Sequence, residues 1–138
     1  MSDHTDFIKE YSAFIESTML DEPAFVAGIS RYITDSSVLI EPDSIFGRLT
    51  GFDGWKQWRK AAADMALRTG VEFVTSGSQF FENGDTVLHY YEIQFGPREG
   101  HPDGWQTSII ERYDLADGRI AKLSAYYADT VAFLAYFA

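Results

Sequence analysis

Apolar residues at Phe7, Ile8, Tyr11, Phe14, Ile15 and Met19 recur at steps of one, three and four, which places them on one stripe of a helix. The stripe predicts a first helix that lies on an apolar surface and ends near Asp21-Glu22-Pro23. Phe25, Val26, Ile29 and Tyr32 predict a second, shorter helix from about Pro23 to Tyr32, with Pro23 suited to its first turn. Val38-Leu39-Ile40-Glu41 is a β-rich run stopped by Pro42, whose ring removes a ladder donor and restricts the residue before it. Turn residues from Gly47 to Gly51 lead to a third helix, where Thr50 and Asp53 have capping-box spacing. Trp55, Trp58, Ala62 and Met65 share one face of it, and it ends near Gly70.

Four strand-like segments follow, about Val71 to Phe81, Thr86 to Phe95, Trp105 to Leu115 and Arg119 to Tyr127. Asn83-Gly84-Asp85, Gly96-Pro97 through Asp103-Gly104, and Asp117-Gly118 separate them with turn chemistry, so the run predicts an antiparallel meander. Helices first and a meander last predict an α+β fold, with helices covering the apolar face of the sheet. Strands of this length twist and curl, which makes the expected sheet a cone with the N-terminal helices on its concave face. The apolar stretch from Asp129 to Ala138 should pack back on the sheet or against a second subunit.

At 138 residues the chain suits one domain over residues 1–138, and 11 Phe, 8 Tyr and 3 Trp exceed what a disordered segment carries. Rings in such numbers wall a cavity as readily as they fill a core. A net charge of -10 opposes nucleic acid and anionic membranes as partners. With no cysteine there is no disulfide and no thiolate metal site, and His4, His89 and His101 lack metal-ligand spacing. No cofactor is implied. The start is acidic and polar, and no stretch nears the length of a membrane span, so the expected location is cytoplasmic.

The order of elements resembles the nuclear transport factor 2-like superfamily, the cystatin-like α+β barrel, whose enzymes include SnoaL-like polyketide cyclases and ketosteroid isomerases. Tyr32-Ile33-Thr34-Asp35 leading into Val38-Leu39-Ile40-Glu41-Pro42, then Gly51-Phe52-Asp53-Gly54-Trp55, then Asp117-Gly118-Arg119-Ile120 leading into Tyr126-Tyr127-Ala128-Asp129 carry the resemblance. It spans roughly Phe7 to Phe137 and implies a fold more than a reaction, because this fold hosts isomerases, dehydratases, hydrolases and non-catalytic adaptors. It also implies a homodimer.

Glu41 is the first candidate for chemistry, since a carboxylate ending an apolar strand inside a pocket loses hydration and gains basicity. It stands at the acid-Pro position where the resemblance implies a general base. Tyr11, mid-stripe on the first helix, takes by the same resemblance an oxyanion-binding role. Alternation places His89 with Val87, Tyr91, Ile93 and Phe95 on the concave face, where an imidazole can donate to a carbonyl or relay a proton. Leu123, Ala125, Tyr127 and Asp129 share a face of the last strand, which carries Asp129 toward the pocket as a fourth catalytic candidate. Trp58, Tyr91, Ile110, Leu123 and Tyr127 are the expected walls of the substrate site. Each catalytic candidate has a plainer alternative: Glu41 solvated at a strand end, Tyr11 and His89 satisfied in the core, Asp129 capping the segment after it.

Two departures bear on the chemistry. The second oxyanion acid of ketosteroid isomerases falls, by alignment through Asp117-Gly118-Arg119, at Ile110, which donates no hydrogen bond. One acid of the limonene epoxide hydrolase set falls at Ala125. The expectation is therefore a cofactor-free acid-base enzyme of isomerase, cyclase or dehydratase type, acting on a small, apolar, carbonyl-bearing molecule. The alternative is a non-catalytic ligand-binding or dimerisation module of the same fold.

Overall fold

In a computed structural model describing residues 3–138, the chain runs α1 (Asp3–Thr18), α2 (Glu22–Gly28), a 3-10 turn (Ile29–Arg31), β1 (Ile33–Ile40), β2 (Arg48–Thr50) and α3 (Gly51–Thr69). It continues through β3 (Phe73–Asn83), β4 (Thr86–Phe95), β5 (Trp105–Ala116) and β6 (Arg119–Tyr127) to α4 (Thr130–Phe137). One curved sheet of order β2-β1-β6-β5-β4-β3 results, and α1, α2 and α3 cover its inner face. The fold is α+β, as the pattern predicts. Among the described residues no helix is long and apolar enough to cross a membrane.

The meander from β3 to β6 is antiparallel throughout. β1, by contrast, joins it parallel to β6, pairing Leu39 with Leu123 and Ile40 with Ser124. β1 also begins five residues before the expected run, because the polar stretch Thr34 to Ser37 hides a strand from periodicity. The register slips between Ile33 and Val38, and Ser37 bridges the slip: its hydroxyl accepts from the Thr34 amide at 2.9 Å and donates to the Ile120 carbonyl at 2.6 Å. β2 forms where only a turn was expected, as a three-residue edge antiparallel to β1.

The helix ends follow local chemistry. Asp21 accepts from the Ala24 amide at 3.1 Å, with Pro23 in the first turn of α2. The predicted capping box of α3 does not form, since the Thr50 side chain makes no cap bond. Asp35 of β1 replaces it, accepting from the Phe52 amide at 3.3 Å. That contact needs Gly51, because its φ is +69° and a Cβ there would lie 2.5 Å from the Asp35 carbonyl oxygen.

Two apolar clusters build the interior. Ile8, Tyr11, Phe25 and Trp55 from the helices pack on Leu39, Tyr113, Ile120 and Leu123 of the sheet. At the other end Phe133, Tyr136 and Phe137 of α4 fold back onto Val71, Ile93, Phe95 and Ile109, which realises the first of the two expected fates of the C-terminal stretch. Arg98 in the β4–β5 loop ties α4 down, donating to the Tyr136 carbonyl at 2.7 Å and the Ala138 carbonyl at 3.1 Å.

Candidate functional site

Between the inner face of the sheet and the helices lies a cavity of about 360 Å³. Alternation along β1 turns Ser37, Leu39 and Glu41 inward, and Glu41 ends this row just beyond the strand, 5% exposed. Its backbone is pinned there. The Glu41 amide donates to the Gly47 carbonyl at 3.0 Å, and the Pro42 carbonyl collects the amides of Ile45, Phe46 and Gly47 at 2.9, 3.2 and 3.1 Å. The carboxyl therefore points into the cavity by register and by turn geometry together.

Burial pushes the Glu41 pKa up to about 7. Tyr127 and Trp58 oppose the rise as hydrogen-bonding neighbours, and the nearby Glu111 adds to it by charge repulsion. These neighbours leave the Oε2 atom of Glu41 without a hydrogen-bond partner. Only one other buried side-chain polar atom among the described residues lacks a partner, Nδ1 of His89, and His89 lines the same cavity. Buried polar atoms are nearly always paired, so two orphans on side chains that line one hollow mark those side chains as the ones to hold a ligand's polar groups.

His89 is fixed from both sides. Its Nε2 is hydrogen-bonded to the Ser78 hydroxyl at 3.1 Å, and its ring stacks on Phe80 at a centroid distance of 4.3 Å. Ser78 reaches inward because β3 bulges between Ser76 and Gln79, with Gly77 at φ +65°. Nδ1 lies 3.6 Å from Oε1 of Glu111, close enough to feel its charge and too far for a hydrogen bond. Glu111 is held by the Tyr113 hydroxyl, which donates to it at 2.9 Å. On the helical side, the Tyr11 hydroxyl oxygen accepts from Trp55 Nε1 at 3.0 Å, leaving its O–H to be donated. Burial pushes the Tyr11 pKa well up, so the group stays a neutral donor.

The structure brings together Glu41, Tyr11 and His89, with Trp58, Tyr91 and Leu123 among the cavity walls. Tyr127 stands beside Glu41 and lines an adjoining hollow. Two expected site residues lie elsewhere. Asp129 is exposed and accepts from the Ala132 amide at 2.9 Å as the N-cap of α4, because β6 ends at Tyr127 and alternation stops with it. Ile110 is 40% exposed on the outer face of β5, opposite Tyr90 and Tyr126, and cannot touch a ligand in the cavity.

Glu111 is the residue that reading from the sequence missed. Alignment placed Ile110 at the position of the second acid, and a shift of one residue along a strand exchanges the two faces. The signal was present in β5, where Ile109, Glu111 and Tyr113 alternate on one face. Among the described residues no group of three or more His, Asp or Glu converges as metal ligands would.

Comparison with solved structures places this architecture. An NTF2-like protein from Burkholderia pseudomallei superposes with a TM-score of 0.73 at 15% identity, over 99% of this chain and 98% of that one. A Xanthomonas campestris protein of cystatin-like fold superposes with a TM-score of 0.70 at 16% identity, over the same shares of the two chains. The chain has the nuclear transport factor 2-like, cystatin-like fold. TerC, crystallised with polyporic acid, shares that fold with a TM-score of 0.70 at 15% identity, over 99% of this chain and 98% of its own. No protein-family model and no curated protein sequence matches the chain.

Within this fold the buried Glu41 carries a cost that depends on pH. Its folded pKa lies above the ordinary 4.5, so its contribution to stability is full below pH 4.5 and is lost as pH rises toward about 7. The loss amounts to roughly 3 kcal/mol at 1.36 kcal/mol per pKa unit. Glu41→Gln removes the ionisation. Urea unfolding should show the variant gaining on the native protein by roughly that amount between pH 4.5 and pH 8; a difference that stays constant with pH contradicts the burial.

Proposed function

We propose that the protein is a cofactor-free acid-base enzyme that moves a proton on a small, mostly apolar, carbonyl-bearing molecule held in the cavity. The observation that carries this reading is a buried carboxyl with a free Oε2 and a pKa near 7 at the wall of a cavity of about 360 Å³. A base tuned near the working pH combines a populated ionised form with real proton affinity. Glu41 takes the proton from the carbon next to the carbonyl. Tyr11 donates its O–H to the developing enolate oxygen, and Trp55, donating to the Tyr11 oxygen, polarises that bond. His89 presents its unpartnered Nδ1 to the same region, with Oε1 of Glu111 3.6 Å away.

Glu111 accepts from Tyr113 and faces an imidazole. In this reading Glu111 positions His89. Crystallisation of TerC with polyporic acid supports ligand binding by this fold. A ligand-binding module without turnover is the second reading, favoured by the exposed position of Asp129, which removes one of the four expected catalytic groups from the cavity.

We further propose a homodimer through the outer face of the sheet. Leu88, Ile110 and Tyr126 stand 36%, 40% and 57% exposed on three adjacent strands there, an apolar patch of the kind that marks contact surfaces.

Hydrogen exchange separates turnover from mere binding. In D₂O the protein should catalyse deuterium incorporation beside the carbonyl of 4-phenylcyclohexanone, with a rate that rises through pH about 7 as Glu41 ionises. Glu41→Gln should abolish the exchange, and Tyr11→Phe should slow it about 100-fold. Exchange that survives Glu41→Gln removes Glu41 from the mechanism. For the dimer, Ile110→Lys should convert a sedimenting dimer to a monomer with the fold intact; a native protein that sediments as a monomer at micromolar concentration overturns it.

A further inference from the structure

A second hollow of about 140 Å³ adjoins the first, and Met19, Trp58, Phe73 and Ile93 line both. The two hollows differ in chemistry. The larger one holds Glu41, Glu111 and His89, whereas the smaller has no charged residue in its wall, and only Tyr127 and Trp58 among its lining residues carry a side-chain oxygen or nitrogen. Apolar side chains from α3 and α4, including Ala62, Ala66 and Phe133, line it. Glu41 sits where the hollows meet, since its two hydrogen-bonding neighbours are Trp58, shared by both, and Tyr127, which belongs to the smaller.

We propose that the substrate is an elongated, uncharged molecule whose carbonyl-bearing head lies in the larger hollow and whose apolar tail, about the size of one six-membered ring, fills the smaller one. The tail size follows from volume, because an apolar cavity of about 150 Å³ holds benzene. The absence of charge follows from the walls. Glu41 and Glu111 oppose an anionic head, and the one lysine lining the cavity, Lys9, is exposed with its Nζ 5.2 Å over the Phe80 ring. A cationic head beside Glu41 would hold it ionised and lower its proton affinity, which defeats a base. A tail anchored in the smaller hollow fixes the carbon beside the carbonyl against Glu41 at the junction, so that remote binding orients the reacting atoms.

This inference rests on the acid-base reading, and the two can fail separately. NMR titrations would compare cyclohexanone, 4-phenylcyclohexanone, 4-phenylcyclohexanecarboxylate and 4-phenylcyclohexylamine on the native protein, Ala62→Leu and Ala66→Leu. The phenyl ketone should bind the native protein at least tenfold more tightly than cyclohexanone, and at least tenfold more tightly than either charged analogue. Both leucine variants, whose added carbons occupy the smaller hollow, should lose most of the phenyl gain and bind cyclohexanone as the native protein does. Affinities of the two ketones within threefold of each other, a phenyl gain that survives in both variants, or equal binding of a charged analogue would overturn the proposal. An intact phenyl preference without deuterium exchange counts against the acid-base reading alone. Exchange without phenyl preference counts against the two-hollow substrate alone.

Discussion

One carboxyl group held out of water organises this molecule. Taking Glu41 from solvent without a full set of partners costs free energy, and the surrounding structure supplies it: an apolar strand, a tight turn at Pro42 and a wall of aromatic rings. The same desolvation that penalises folding is what makes the group basic. Stability and chemistry are therefore opposed at this position, as they are where a site must hold strain to be useful.

The wall around it is built from alternation. β1 presents Leu39 with Glu41 just beyond its end, β4 presents His89 and Tyr91, β5 presents Glu111 and Tyr113, and β6 presents Leu123 and Tyr127. Opposite them α1 contributes Tyr11, held by Trp55 of α3, and α3 contributes Trp58. Four tyrosine hydroxyls gather near two carboxyls, and burial pushes the pKa of Tyr11, Tyr91, Tyr113 and Tyr127 upward, so all of them stay neutral hydrogen-bond donors. Lys9 apart, the charged groups of the pocket wall are acids and its buried hydroxyl donors are uncharged, a combination suited to stabilising negative charge that develops only during reaction.

Long periodic segments were legible in the sequence. β4 and β6 coincide with the strands predicted from alternation, and α1 buries Ile8 and Tyr11 of its predicted stripe. β1 was only partly legible, because Thr34 to Ser37 are polar and their side chains substitute for regular pairing at the register slip. β2 is an edge strand set by its partner and not by its own composition. At the site, Glu41 and His89 followed from position along a strand. Asp129 did not, because periodicity cannot tell where a strand stops and a cap begins. Ile110 and Glu111 show the sharper limit: a family alignment uncertain by one residue selects the wrong face, whereas the alternation of β5 itself selects the right one.

The whole account depends on the environment of one side chain, and titration of the Glu41 carboxyl carbon by NMR reads it directly. A midpoint near pH 7, lost in Glu41→Gln, is the predicted result. A midpoint near the ordinary 4.5 would mean that water reaches the carboxylate, and neither the proposed base nor the pocket built around it would stand.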